Sequence, residues 1–468
     1  MKVLLINPPL PSGSPSHELL SPPLGLAYVA SYLEVHGLKV EILDFPALGL
    51  SLSQARSILA SKKADVFGVT MSSLTVKPAA LIAHWVKQLF PDVLLMVGGP
   101  HPTFADEHVL ISMPEVDVVV RGEGELTALE LVQRFVRGEG FEGVKGVTYR
   151  GGKGVVRNEE RELIEDLDSL PFPAYHLLPV RNYRSFGFSE PTFTVLTSRG
   201  CPFNCKFCVA WKMNRRRYRV RSVKNVVEEL EYLVHRFKAR FLSFVDDLFT
   251  INRKRVKALC RAIREHRLNL VWGCETRVDM VDRETLMEMR KAGCYWIYFG
   301  FESASQTILN SMRKNIQVEQ IKRAFKLCRE VGVNTIASVM LFWPGETRET
   351  IKQTLNLLKE VEADAAHFSI ATPFIGSDFY EEVKERLKVK DWEHYNLINP
   401  VYEAPGFTME EMRKQWAKAY LSFYLRPSYL VKQTLKGNRE VVRTVIYALT
   451  KYLKAKVSKL TFSLRRGF

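Results

Sequence analysis

Two parts of the chain share a rhythm of short, nearly continuous apolar runs separated by segments whose apolar residues recur at helical spacing. In residues 1–140 the runs are Val3–Ile6, Val40–Leu43, Val66–Val69, Val93–Val97 and Val118–Val120, and Leu24–Val35 and Pro78–Phe90 between them read as amphipathic helices. Strands apolar on both faces that alternate with helices predict a parallel sheet covered on both sides. The expectation for 1–140 is a doubly wound α/β domain with its ligand site at the carboxyl ends of the strands. Over 141–190 the rhythm breaks. Gly143, Gly146, Gly151, Gly152 and Gly154 interrupt short β-like runs, and Asp168–Pro173 reads as an extended connector, so this stretch is expected to be a linker. The rhythm resumes over 191–387, with strands expected near 193–197, 240–246, 270–274, 295–300, 333–341 and 366–371. The helices between are well patterned: Val223, Val226, Val227, Leu230, Leu233 and Val234 make one buried face. Six βα units fit an incomplete (βα)6 barrel, whose chemistry should sit at the C-terminal strand ends. Residues 388–468 lose the strand pattern and read as helical, with aromatics at 391–395 and 416–424.

Composition changes this picture in one place. The 468 residues carry a formal charge of +16, and from Arg426 onward eleven Lys or Arg face one acid, Glu440. There Val442, Val445, Ile446, Leu449, Leu453, Val457 and Leu460 follow helical spacing with Arg443, Lys451, Lys454, Lys456 and Lys459 among them. A basic amphipathic helix of this kind reads equally as a helix lying on an anionic bilayer surface or as one packed on the barrel with a solvated face. No RNA-binding module or stacking platform is visible, so nucleic acid is not an expected partner. No apolar run approaches the ~20 residues of a membrane span. The N-terminus runs from a short strand into prolines rather than resembling a signal peptide, and all seven cysteines lie at or after 201, a usage that suits a reducing cytoplasm.

Three of those cysteines carry the chemistry. Cys201, Cys205 and Cys208 stand at C-x3-C-x2-C spacing directly after the apolar run 193–196. A loop after a strand can curl three thiolates around one inorganic cluster, and iron–sulfur clusters normally take four protein ligands. The next cysteine is Cys260, so one iron would stay open for a substrate or cofactor. A zinc site completed by a distant histidine, or buried thiols, are the alternatives. Cys260, Cys274, Cys294 and Cys328 follow at spacings of 14, 20 and 34, which match no cluster motif, and read as buried small hydrophobes.

The motif, with an aromatic at Phe207 before its last cysteine, resembles that of the radical S-adenosylmethionine (SAM) enzymes. The resemblance implies a [4Fe–4S] cluster on the three cysteines, its open iron chelated by SAM, and reductive cleavage of SAM to a 5′-deoxyadenosyl radical. It also implies a reducing partner such as flavodoxin or ferredoxin. The N-terminal domain lacks the G-x-G-x-x-G fingerprint after its first strand, which counts against NAD. Its Pro22–Leu26, Gly98-Gly99-Pro100-His101 and Gly122–Glu125 stretches instead resemble the cobalamin-binding domain of the cobalamin-dependent, class B type radical SAM methyltransferases. The D-x-H-x-x-G loop that supplies a cobalt ligand in other cobalamin domains is missing after the first strand. By analogy the 70–76 loop, with Thr70, Ser73 and Leu74, would lie beneath cobalt. Pro9, Gly98, Gly99 and Glu123 at other strand ends would line the cofactor, and His101 would contact its tail, cap the loop or ligate cobalt. The tRNA methylthiotransferases of the superfamily need N-terminal cysteines, which this chain lacks.

In the barrel, the resemblance assigns the strand ends to SAM. Asp246 and Asp247 are candidates for its amino group, with an N-cap role for Asp247 as the alternative. Glu275 and Arg277 follow the next strand, and an arginine can grip SAM's carboxylate with two hydrogen bonds. Glu302, with Ser303, is placed to accept the ribose hydroxyls or to form a structural ion pair. Thr372–Ser377 resembles the P-Y-P-G-T turn of relatives but departs at Ile375. The expected function is a cobalamin-dependent methyl transfer to an unactivated carbon of a small-molecule or lipid substrate. Radical cyclisation, carbon–carbon coupling or rearrangement without cobalamin, and a non-catalytic cobalamin-binding protein, are the alternatives.

Overall fold

Five parallel strands form the first sheet: β1 (Lys2–Asn7), β2 (Lys39–Asp44), β3 (Val66–Thr70), β4 (Leu94–Gly98) and β5 (Val118–Val120), in the order β2-β1-β3-β4-β5. Their near-continuous burial follows from helices packed on both faces, which split the core into two clusters, one on each side of the sheet. The strand order reverses between β1 and β3, and in open sheets of this order the ligand crevice opens at that switch point. The computed structural model describes residues 1–11, 20–184 and 191–435. The basic segment expected at 442–460 lies outside them.

The stretch expected to be a linker is shorter than the sequence suggests. β6 (Val147–Gly151) and β7 (Gly154–Arg157) form an antiparallel hairpin that extends the first sheet beyond β5. Its glycines mark the turn of a hairpin, not the start of a connector, and the connecting chain begins after Arg157.

The second sheet holds β8 (Thr192–Val195), β11 (Phe241–Phe244), β12 (Val271–Thr276), β13 (Cys294–Glu302), β14 (Asn334–Leu341) and β15 (Ala365–Ile370), all parallel and in sequential order. Between β8 and β11 lies the short ribbon of β9 (Ser198–Arg199) and β10 (Arg219–Val220). This is the expected six-stranded partial barrel. The helix Val223–Phe237 presents its predicted face, burying Val226, Val227, Leu230 and Leu233, and is capped by Ser222, which accepts from Asn225 N. Cys260, Cys274, Cys294 and Cys328 are buried as expected, grouped around Cys274.

An incomplete barrel leaves two edge strands. That of β15 is met by aromatic side chains of the helix Met409–Tyr424 and of Tyr429 beyond it. Trp416 Nε1 donates to Phe368 O (2.9 Å), Tyr424 OH donates to Ala366 O (2.7 Å) and accepts from Ala366 N (3.0 Å), and Tyr429 OH donates to Asp364 O (2.6 Å). Ile370 N donates to Leu397 O at 2.6 Å. Backbone groups that a seventh strand would have paired are thus satisfied by side chains and a loop.

Close packing and ion pairs lock the domains together. Gly376, at φ +86°, lies so close to Phe104 that a Cβ there would fall 2.3 Å from its ring. Arg199, in the barrel, pairs with Glu123 at 2.8 Å and Glu125 at 2.6 Å in the N-terminal domain.

Candidate active site

The cysteine loop is held by groups that are not sulfur. Gly200 has φ +95°, and a Cβ there would lie 2.0 Å from Arg217 O, so no larger residue fits this turn. Asp246, fully buried, accepts from Thr197 N (2.6 Å), Ser198 N (3.2 Å) and the Thr197 hydroxyl. Asp247 accepts from Gly200 N at 3.1 Å. Trp211 Nε1 donates to Cys205 O, and Lys206 N to Met312 O. Burial pushes the free thiols up, Cys201 to about 11 and Cys208 to about 12, so iron must displace protons on binding.

Asp246 therefore departs from its expected role. It is a buried strut that ties the loop's backbone to β11, and the Arg255 guanidinium, bonded to Thr197 O, lies close by. Asp247 is open to the barrel interior, and the N-cap of the following helix is Asn252, not Asp247. Ser303 also departs: it is fully buried, its hydroxyl turned to Thr354 and Ser305 N, because β13 bulges at its end.

Arg277 is buried, with its guanidinium 3.8 Å from the centre of the Phe203 ring inside the cysteine motif. Its Nε and Nη2 bond to Asp279, both at 2.9 Å, while Nη1 is buried with no hydrogen-bond partner. A buried guanidinium nitrogen left unpaired beside the thiols calls for an anionic ligand. Glu302 sits at φ +62° and pairs with Lys314 at 2.8 Å, both nearly fully buried. Lys314 lies 5.6 Å from the Phe207 ring, and Phe207 packs edge-on against Trp343. Lys314 escaped sequence reading because it lies in an irregular turn with left-handed Arg313 and Asn315 on either side.

The register brings further groups to the inner wall. Glu275 on β12 stands beside Tyr298 on β13, and Gly300 on β13 is in line with Ser338 on β14 and His367 on β15. Glu275 and His367 are accessible from the interior yet enclosed by protein. Burial lowers the His367 pKa, and Tyr298, bonded to Ser338, is raised by burial. Burial, with the neighbouring Asp247 carboxylate, raises Glu275 to about 7. Between its ordinary value and pH ~7 the folded chain holds a proton that the unfolded chain has lost, so stability falls as pH rises through that window and then levels off. Glu275→Gln should therefore denature at higher temperature than the parent at about pH 8 and show little advantage near pH 4. A difference independent of pH would contradict this assignment.

In the N-terminal domain, Pro9, Thr70, Ser73, Leu74, Gly98 and Gly99 gather at the carboxyl ends of β1, β3 and β4 as expected. Gly99, at φ +112°, comes so close to the β3 loop that a Cβ would meet Met71 O at 2.7 Å. His101 is buried, its Nδ1 3.1 Å from the Ser73 hydroxyl, and burial lowers its pKa to about 4. It joins the loop after β4 to the loop after β3. Glu123 is not free to line a cofactor. It is taken by Arg199 and Arg219 (2.9 Å) and by Ile164 N, so it belongs to the domain junction.

Three thiols on one loop after the first strand of an open parallel barrel, in a chain that also carries a doubly wound domain, fit an iron–sulfur cluster with one iron left open to a further ligand. Among the described residues no three His, Cys, Asp or Glu side chains converge on a single-ion site. The radical SAM superfamily model matches residues 195–358 and the B12 binding domain model matches 16–132. An uncharacterized methyltransferase of Pyrococcus horikoshii is 37% identical over 96% of this chain and 98% of its own length. The anaerobic magnesium-protoporphyrin IX monomethyl ester cyclase of Rubrivivax gelatinosus is 31% identical over 100% of this chain and 85% of its own. The structure of the radical SAM methyltransferase TsrM from Kitasatospora setae, with cobalamin and a [4Fe-4S] cluster bound, matches with TM-score 0.71 at 19% identity, covering 91% of this chain and 89% of that one. The chain belongs to the radical SAM superfamily, in the group that carries a B12-binding domain. Its cofactors are SAM, a [4Fe–4S] cluster and cobalamin, and its chemistry requires a small-molecule substrate and a reductant.

Proposed function

We propose that this enzyme methylates an unactivated carbon, with Cys201, Cys205 and Cys208 as ligands of three irons. The cluster with SAM supplies a radical able to take hydrogen from such a carbon, and cobalamin supplies the methyl group. Around them the side chains position and exclude. The unpaired Nη1 of Arg277 suits SAM's carboxylate, and Asp247 and Glu275 suit its ammonium group. The cations of Arg277 and Lys314 offset the negative charge of a thiolate-bound cluster beside Cys205. Glu302, held by Lys314, stands ready for the ribose, with Phe207 packed beside it. Thr70, Ser73, Leu74, Pro9, Gly98 and Gly99 make the cobalamin crevice. The observation that carries the reading is the open-barrel cysteine loop with an unpaired buried guanidinium beside it.

A lipid substrate and contact with an anionic membrane surface are part of this proposal. Their support is the apolar exposure of Leu425 (46%), Val431 (58%) and Leu435 (83%) at the end of the described chain, next to the basic C-terminal sequence. Among the described residues no helix is long and apolar enough to cross a membrane. A cytoplasmic location and a flavodoxin- or ferredoxin-type donor complete the reading. A second reading, radical cyclisation, is favoured by the likeness to the Rubrivivax cyclase over the whole chain.

The test is anaerobic reconstitution with iron, sulfide and hydroxocobalamin, followed by assay with SAM and candidate acceptors, lipids first. Stoichiometric cobalamin and S-adenosylhomocysteine formed in step with methylated product are expected. Turnover that yields 5′-deoxyadenosine and a cyclised product without S-adenosylhomocysteine would replace methylation by the second reading.

A further inference from the structure

Ser73 and His101 sit on different loops, after β3 and β4, and are joined by the 3.1 Å contact between the Ser73 hydroxyl and His101 Nδ1. His101 Nε2 is buried and has no hydrogen-bond partner. What covers this imidazole comes from the far end of the chain. The Trp392 indole meets it edge-on with ring centres 4.8 Å apart.

The turn Trp392–His394 packs on the turn Ser73–Thr75, and Glu393 pairs with Lys77 at 3.2 Å on the helix that follows. The same segment is fastened to the barrel. Trp392 packs at a tilt against Tyr395 (4.6 Å) and Tyr380 (6.1 Å), Tyr395 OH donates to Val389 O, and Leu397 O takes the edge amide of Ile370. The floor of the N-terminal crevice is therefore built from three parts of the chain, and the last part is tied to the end of β15.

We propose that Trp392 is a positioning residue of the cobalamin site: it fixes His101, and through it Ser73, so that the C-terminal segment completes the seat of the cofactor. The inference rests on the cobalamin reading above. A side chain that orients the groups touching a cofactor tunes its retention and its electronic state, as outer-shell partners do at metal sites. The pair Lys77–Glu393 is exposed and contributes little, so the aromatic contact carries the effect.

The test compares the parent, Trp392→Ala and Trp392→Phe after reconstitution with hydroxocobalamin and reduction to cob(II)alamin. Cobalamin retained on desalting and the cob(II)alamin paramagnetic resonance spectrum are the readouts. Trp392→Ala is expected to bind cobalamin at least about tenfold more weakly, with an altered spectrum, and Trp392→Phe to restore both. Cluster content and the thermal melt report folding. If the alanine variant unfolds, Trp392→Leu, which keeps an apolar filler but no ring, takes its place with the same expectation. Parent-like retention and spectrum in a folded variant lacking the ring would overturn the inference alone. A parent that retains no cobalamin would overturn both it and the reading beneath it.

Discussion

Cys205→Ala is expected to abolish reductive cleavage of SAM and to leave the chain without a stable cluster. The reasoning separates the loop from its ligands. Cys205 holds its place through backbone bonds, its carbonyl accepting from Trp211 Nε1 and from Cys208 N, and these do not involve sulfur. Removing one buried thiol from such a loop should cost about 1 kcal/mol of stability, so the variant should still fold. Iron would then have two thiolates where three were available, and the site that leaves one iron open for SAM would no longer exist. Iron and sulfide analysis and 5′-deoxyadenosine production with dithionite are the measurements. A Cys205→Ala protein that kept its cluster and cleaved SAM at the parent rate would show that the cluster is held elsewhere.

Lys314→Met should cost the fold heavily while leaving the cysteines intact. Lys314 and Glu302 are 6% and 5% exposed, and the ammonium is the partner of a carboxylate on a left-handed residue at the bulged end of β13. Gly300 makes the pairing possible, since a Cβ there would fall 2.4 Å from Lys314 Nζ. Deleting the cation strands a buried charge, which typically costs about 3–5 kcal/mol, whereas removing both charges is often neutral. Denaturant titration should therefore show a large loss for Lys314→Met and recovery of most of it in the Glu302→Gln/Lys314→Met double variant. If the single variant matches the parent, water reaches Glu302 and the pair is not the support described here.

The contrast between these residues shows what the sequence could and could not disclose. The strands were legible because burial on both faces writes a continuous apolar run, and the cysteines because three ligands of one cluster must be close in the chain. Arg277 was legible as a strand-end cation, although its stacking on Phe203 was not. Asp246 and Glu123 were read as cofactor ligands because a carboxylate at a strand end looks the same whether it faces a ligand or a neighbouring backbone. What decides between those roles is the partner, and the partners are distant: Arg199 and Arg219 for Glu123, Lys314 for Glu302, Trp392 for His101. Lys314 and Trp392 lie in irregular turns, where no periodicity marks the direction of a side chain. The hairpin at 147–157 is hard to tell from a linker in sequence because its glycines are shared by turns and connectors alike.

The ladder of Trp416, Tyr424 and Tyr429 along β15 bears on what the gap in the barrel wall is for. A sheet that stops at six strands normally invites a further strand, from a peptide or from another copy of the chain. Here the invitation is withdrawn, because the outward carbonyls and amides already have partners. The break in the barrel wall is thus no adhesive seam on its β15 side, where the aromatic side chains seal the edge against a seventh strand from a peptide or a second copy of the chain.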